Sequence, residues 1–279
     1  MSKPRLLSGG MDAEPREPLT VLTWNVLAHI HTHWDAEWHG GQPKSLETET
    51  QRTARHLSVL RRLKELQPDI ALLQEVDEYL IPAQWQTGPL PCGETLEGYV
   101  PYRSYSSRGE GTVVLLRSAT VVRDTSFEKA YVPATAEHGW KTAMVVHAKR
   151  VGARPSDPTL AVASVHLKWG DPLASAALLA AAIGKRGHWS MPMVIGGDFN
   201  AEVASLEREH IDASLLRAGL VRLPADAPTH SCGTIDHLYV AGVRLAPAVV
   251  GLVPPGPLGP WTEGCDGSDH AWVCVQLSL

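Results

Sequence analysis

The chain carries no excess of basic residues. Lys and Arg number 25 against 30 Asp and Glu, for a formal net charge of −5 and a pI of about 6.2. Binding duplex DNA over a broad face is mostly phosphate neutralisation, so this balance counts against it. It leaves room for a nucleotide or a short single strand held in one cleft. Cysteine is scarce too. Cys92, Cys232, Cys265 and Cys274 stand far apart, with no CxxC pair. Isolated thiols are therefore expected, rather than a disulfide framework or structural zinc. Cys265 lies four residues before Asp269, but nothing gives it a role. No apolar run is long enough to span a bilayer, and the first residues lack a signal-peptide core. A cytoplasmic protein without membrane contact is the expectation. Repeats and Ser/Gly-rich linkers are absent as well, so nothing divides the chain.

What is there suits a full core. Of 279 residues, 44% are hydrophobic and 20% charged, which is ordinary globular composition. Residues 1–18 are polar, with Gly9-Gly10 and two prolines before Pro18, and read as a disordered leader. Residues 19–279 read as one domain.

Apolar periodicity predicts a first strand at 20–26, a polar His- and Trp-rich loop at about 28–46, and a helix at about 47–66. Leu57, Leu60, Leu63 and Leu66 line one side of that helix, with charged residues between them. Gln67-Pro68-Asp69 ends it. Residues 70–76 form a nearly all-apolar strand, as expected for a position covered on both faces. The stretch 77–107 reads as a long surface excursion. Strands follow at 112–117, 119–123, 141–149, 160–167, 192–196, 235–240 and 271–277. Asp171-Pro172 opens an Ala/Leu-rich helix over 173–186, and Ser205 caps another that Gly219 stops. Many strands with inserted helices suggest two packed sheets flanked by helices.

Six polar islands end these apolar runs. They are Thr23-Trp24-Asn25, Gln74-Glu75, Ser164-Val165-His166, Gly197-Asp198-Phe199-Asn200, Ile235-Asp236-His237 and Ser268-Asp269-His270. Together they supply oxygen ligands for a hard cation, neutral donors for phosphate oxygens and an acid–base pair, the kit of a divalent-metal phosphoesterase.

Each island alone has an ordinary reading. Glu75 ends a buried strand, so it must be solvated, paired or metal-bound. Gly196-Gly197 permits a sharp turn and leaves room for a ligand, and Asp198 and Asn200, two apart in an extended segment, point to one side. An Asx-type turn is the alternative there. Asp269 and His270 can serve one centre if the backbone kinks, or be a cap beside a surface histidine. Asp236 needs a partner, for which a histidine is suitable. His166 fits a satisfied core position, and Asn25 a turn.

Taken together and in order, "TWNVLA", "LQEVD", "VHLKW", "GGDFNAE", "TIDHLYV" and "GSDHAWV" resemble the endonuclease/exonuclease/phosphatase superfamily over about residues 20–279. Asn25-Val26-Leu27-Ala28, Leu73-Gln74-Glu75-Val76-Asp77 and His166-Leu167-Lys168-Trp169 are most similar to its deadenylase branch of nocturnin-like and angel-like proteins, as is the turn Arg108-Gly109-Glu110-Gly111-Thr112. The resemblance implies an α/β fold, a four-layer sandwich of two packed, mostly antiparallel sheets flanked by helices. It implies Mg²⁺ (or Mn²⁺) held by Glu75 with help from Asn25 and Asp269. Asp198 would activate the water, Asn200 would position it or a phosphate oxygen, His166 and His270 would donate to phosphate oxygens, and Asp236 would hold His270.

The chain departs from the branch in two places. His237 stands where many relatives have Tyr. The run His29-Ile30-His31-Thr32-His33-Trp34, continuing to Trp38-His39, is unusual, and makes His31, His33 and Trp34 candidates for base stacking and phosphate contact. Arg108, Lys141, Lys168 and Trp169 are further substrate-contact candidates. The expected activity is a metal-dependent phosphodiesterase on single-stranded RNA, either a 3′ exonuclease or an enzyme of 2′,3′-cyclic phosphate ends, acting as a monomer. A phosphatase or phosphodiesterase of a small nucleotide, inositol or lipid phosphoester is the alternative.

Overall fold

The computed structural model describes residues 17–29, 47–82, 89–105, 109–127, 130–132, 143–168, 172–173, 176–177, 179–180, 191–202, 205–224, 228–230, 233–245, 251–252, 268 and 270–279. Two seven-stranded sheets dominate. The first contains β1 (Leu19–Asn25), β2 (Ile70–Asp77), β3 (Tyr99–Tyr105), β4 (Glu110–Arg117), β12 (Arg244–Leu245), β13 (Gly251–Leu252) and β14 (Val273–Ser278), in the order β12-β14-β1-β2-β4-β3 with β13 also on β14. The second contains β5 (Val121–Arg123), β6 (Ala130–Val132), β7 (Ala143–Arg150), β8 (Leu160–His166), β9 (Met193–Asp198), β10 (Val221–Arg222) and β11 (Asp236–Ala241), in the order β10-β11-β9-β8-β7-β5 with β6 also on β7. Among the described strands, only β1–β2 and β8–β9 pair in parallel.

Alternation along each strand builds four layers. Leu19 and Val21 of β1, Ile70 and Leu72 of β2, Val162 of β8, Val194 of β9 and Leu238 of β11 form the cluster between the sheets. Leu22, Trp24, Ala71 and Leu73 point the other way, onto Val59, Leu60 and Leu63 of helix α1 (Glu49–Leu66). Ala161, Ala163 and Ile195 point away from the middle in turn, onto Ile211 and Leu215 of helix α2 (Leu206–Arg217). Three apolar seams thus join helix, sheet, sheet and helix, as strand periodicity dictates.

Local signals explain the helices. Thr48 and Gln51 form a reciprocal capping box at the start of α1, and Gln67 ends it in the left-handed region. Ser205 caps α2, and Gly219 follows at φ +78°. Between β8 and β9, residues 172–173, 176–177 and 179–180 are helical. The remainder of the expected 173–186 helix lies outside the described residues.

Three expectations need correction. The 77–107 stretch contains β3, an edge strand that pairs, among the described residues, with β4 alone. An edge tolerates Pro101, whose missing N–H would break a central ladder. On α1 the buried stripe runs through Arg55, His56, Val59, Leu60 and Leu63, and Leu57 is only half-buried. Gly196 and Gly197 do not turn the chain, since both lie inside β9 without positive φ. Their smallness serves packing. A Cβ on Gly196 would sit 2.8 Å from Leu72 Cδ1 and Leu238 Cδ2 and 2.9 Å from Thr23 Cβ. One on Gly197 would sit 1.8 Å from the Val165 carbonyl oxygen.

Candidate active site

The alternation that fills the central seam with apolar residues carries polar ones at its end. Thr23 and Asn25 continue the inward row of β1, and Gln74 continues that of β2. Ser164 and His166 do so on β8, Asp198 on β9 and Asp236 on β11. The registers align them, pairing Asn25 with Gln74, His166 with Asp198 and Asp198 with Asp236. Gln74 Nε2 lies 3.2 Å from Thr23 Oγ1 and 3.0 Å from Ser164 Oγ, tying the sheets together beneath the site. Ser164 Oγ donates in turn to the Leu73 carbonyl at 2.7 Å. This buried network fixes the spacing of the sheets where the site begins, although Gln74 Oε1 has no hydrogen-bond partner among the described residues.

Glu75 reaches the site by breaking alternation. It sits at φ 53°, and the β2–β4 register shifts between Leu73 and Val76. This bulge turns Glu75 toward β1 and returns Val76 to the outer apolar cluster. Three of the four non-glycine residues at positive φ among those described, Leu27, Glu75 and Asn200, belong to the site, the fourth being the α1 cap Gln67. Each left-handed residue costs roughly 1–2 kcal/mol, and such strain collects where function requires it.

Asp198 is the centre. Its Oδ2 accepts from Asn25 Nδ2 at 3.1 Å and lies 3.4 Å from His166 Nε2 and 4.0 Å from His270 Nε2. Its Oδ1 accepts from the Asn200 N–H at 2.8 Å. The Asx turn weighed against a reactive carboxylate is therefore present, and it uses one oxygen while the other faces the site. Asn200 is left-handed rather than extended, and its Nδ2 donates to the Leu167 carbonyl at 2.7 Å.

Asn25 bridges the two acids. Its Nδ2 donates to Glu75 Oε1 at 3.1 Å as well as to Asp198, while its Oδ1 accepts from the Leu27 N–H at 3.1 Å. Glu75 Oε2 accepts from the Ala28 N–H at 3.0 Å, and Glu75 Oε1 lies 3.6 Å from His166 Nε2.

Asp236 finds its histidine in His270, whose Nδ1 is 2.8 Å from Asp236 Oδ2. The sequence neighbour His237 points to the opposite face, against Phe199. There burial, then the charges of Arg208 and Arg222, push its pKa well below the ordinary histidine value. His270 is anchored on the first island. Trp24 Nε1 donates to its carbonyl at 3.0 Å, and its own N–H donates to Ser268 Oγ at 3.1 Å. Ser268 Oγ donates to the Asn25 carbonyl at 2.6 Å.

The structure thus brings Asn25, Glu75, His166, Asp198, Asp236 and His270 together, with Asn200 holding the turn behind Asp198. Lys168 is half-buried at the exit of β8. Asp269, His31, His33, Trp34, Arg108, Lys141 and Trp169 lie outside the described residues. Two neighbours escaped the sequence reading. The half-exposed His230 packs its ring against His270, with centroids 4.6 Å apart. Thr229 Oγ1 accepts from the Asp236 N–H at 3.0 Å, and the Thr229 carbonyl accepts from the Ala271 N–H at 2.7 Å. Thr229-His230 belongs to no apolar run, so alternation gave no signal for it.

The donor set suits a divalent cation. Glu75, His166 and Asp198 each offer a ligand atom, all within 4.8 Å of one another, and Asp198, Asp236 and His270 do the same. Asp236 Oδ1 is buried with no hydrogen-bond partner among the described residues, a local excess of acceptor that a cation relieves. Carboxylate oxygens are the ligands a hard cation prefers.

Two sheets between helices, with carboxylates and imidazoles converging at one end of the seam, define a phosphoesterase of the hydrolase class. The chain belongs to the Endonuclease/Exonuclease/phosphatase family, whose model matches residues 22–270. No curated protein sequence matches it significantly. Among solved structures it is similar to the human nocturnin catalytic domain, at 19% identity over 94% of this chain and 93% of that one, with a TM-score of 0.64. ANGEL2, a 2′,3′-cyclic phosphatase, is similar at 16% identity over 94% of this chain and 95% of that one, with a TM-score of 0.65. TDP2 of Caenorhabditis elegans is similar at 15% identity over 94% of this chain and 98% of that one, with a TM-score of 0.64. At these identities the likeness is one of fold.

Proposed function

We propose that this chain is a divalent-metal-dependent phosphodiesterase of single-stranded RNA, either a 3′ exonuclease or an enzyme of 2′,3′-cyclic phosphate ends. The observation that carries the chemistry is the convergence of Asn25 Nδ2, His166 Nε2 and His270 Nε2 on one oxygen of Asp198. Asp198 orients the attacking water and takes its proton. His166 and His270 donate to the phosphate oxygens as charge builds on them, and Asp236 holds the His270 ring for that task. Asn200 fixes Asp198 through its backbone N–H and would position the water or a phosphate oxygen. Glu75, steadied by Asn25 and joined by Asp269, would hold Mg²⁺ or Mn²⁺, which when bound supplies charge neutralisation at the phosphate. Phosphoryl transfer needs positioning and charge neutralisation more than covalent help, and these residues offer both.

The choice of RNA rests on the deadenylase-like motifs and on the fold shared with nocturnin and ANGEL2. The net charge of −5 favours a second reading, a small nucleotide, inositol or lipid phosphoester, because no basic tract tracks a long backbone. No described helix is long and apolar enough to cross a membrane. We place the enzyme in the cytoplasm, acting as a monomer.

The test is hydrolysis of 5′-labelled RNAs, A-rich and mixed, with 3′-hydroxyl, 3′-phosphate and 2′,3′-cyclic ends, in Mg²⁺ or Mn²⁺. A ladder of shortened products identifies an exonuclease, and preference for A makes it a deadenylase. Change at the terminal phosphate alone identifies end processing. No reaction on any RNA overturns the RNA reading.

A further inference from the structure

Arg55 and Glu47 form a fully buried ion pair at the start of α1, close to the site but outside its chemistry. Arg55 Nη2 and Nε donate to Glu47 Oε1 and Oε2 at 2.7 and 3.1 Å, and neither side chain is accessible to solvent. The remaining nitrogen, Nη1, donates to the carbonyls of Val26 and Leu27. These two carbonyls belong to the peptide groups whose N–H ends bond Asn25 Oδ1 and Glu75 Oε2. A peptide group is planar, so gripping its oxygen aims its N–H. The same grip polarises each group and strengthens it as a donor. It also holds Leu27 at φ 57°, a conformation a leucine otherwise avoids.

We propose that the Arg55–Glu47 pair is a positioning device for the cation site: it aims two peptide N–H groups at Asn25 and Glu75 and thereby sets the affinity for the divalent ion. This rests on the phosphoesterase reading of the site. Glu47 is the residue that keeps Arg55 there, and it also lies 3.1 Å from His29 Nδ1. A charge buried on a helix face is costly, and its geometry shows what it holds. Lys is no substitute, because one nitrogen cannot reproduce a planar fork that spans a carboxylate and two carbonyls.

The test is Mn²⁺ titration by calorimetry on the full chain, with a thermal melt of each variant. Arg55→Met/Glu47→Met removes both charges at similar volume and should stay folded, with the Mn²⁺ Kd raised at least tenfold. Arg55→Lys keeps the charge opposite Glu47 and should raise Kd at least threefold, which serves if the paired variant does not fold. Val59→Ala, on the same helix, should lower Tm and leave Kd unchanged. A Kd within twofold of wild type in the folded Arg55 variants overturns the proposal, as does a Val59→Ala variant that loses Mn²⁺ equally. If wild type and Glu75→Gln are alike in binding no Mn²⁺, the cation site itself is wrong and both readings fall. If wild type binds and Glu75→Gln does not, only the role of Arg55 is in question.

Discussion

Replacing Asp236 by asparagine changes one atom at a position with 0% exposure. Asp236 Oδ2 lies 2.8 Å from His270 Nδ1, and Oδ1 has no partner among the described residues. Asparagine can keep the bond to His270, but as a neutral one. Charge-assisted bonds are worth about 1.5–3 kcal/mol against about 0.5–1.5 kcal/mol for neutral ones. The loss of about 1–2 kcal/mol falls on the His270 ring as it donates to the phosphate, where it matters most as charge builds. At about 1.4 kcal/mol per tenfold, kcat drops by roughly 5- to 30-fold. If the new NH₂ faces Nδ1 instead, the ring takes the wrong tautomer, and an equivalent change in a serine-protease triad costs about 10⁴-fold. Folding should not suffer, because a buried carboxylate oxygen without a donor does not stabilise the native state. The assay is kcat on a phosphodiester at saturating Mn²⁺, beside a thermal melt. A kcat within twofold of wild type refutes the assignment. So does a loss of activity that merely tracks a loss of Tm.

Other outcomes follow from the packing. Gly196→Ala puts a Cβ against Thr23, Leu72 and Leu238. Such overpacking costs about 1–3 kcal/mol, so Tm should fall by roughly 3–10 °C in a thermal melt. His237 titrates at about 6.5 when unfolded and well below that when folded. The unfolded chain therefore binds the extra proton, and stability falls as pH drops below 6.5. Denaturant titrations should show that His237→Phe lowers this slope by up to about 1.4 kcal/mol per pH unit. Asp77 acts lower on the scale. Burial opposes its ionisation, but the His56 hydrogen bond and the charges of His56, Arg52 and Arg55 hold its carboxyl below the ordinary range. Its contribution is complete above pH 3.8 and is lost as pH falls further. Asp77→Asn should remove that acid limb from the same titrations.

The layering was legible because burial writes itself as apolar alternation. β1, β2, β8 and β9 are apolar runs ending in polar islands, and the same period that fills the seam delivers Asn25, His166, Asp198 and Asp236 to its end. What the period does not carry was missed or misread. β3 pairs on one side only, so it has no need of a continuous apolar run and looks like loop. Arg55 and His56 lie on the buried stripe of α1, yet charge normally marks a solvated face. Their burial depends on Glu47, just before the helix, and on Asp77, at the end of β2. The two glycines before Asp198 suggested a turn, whereas the space they leave is taken by the facing sheet. Asp236 was expected to lean on a histidine, and parity excludes its neighbour. His237 faces outward, while His270, 34 residues on, returns to the site because Trp24 and Ser268 hold its backbone.

The most direct measurement is turnover of a simple phosphodiester, bis(p-nitrophenyl) phosphate, by wild type and Asp198→Asn in Mg²⁺, in Mn²⁺ and in EDTA. A metal-dependent water activated by Asp198 predicts turnover with either cation, none in EDTA, and a kcat lower by about 10²–10⁴ in a variant that melts like wild type. Turnover that survives EDTA, or an Asp198→Asn enzyme as fast as wild type, would contradict it.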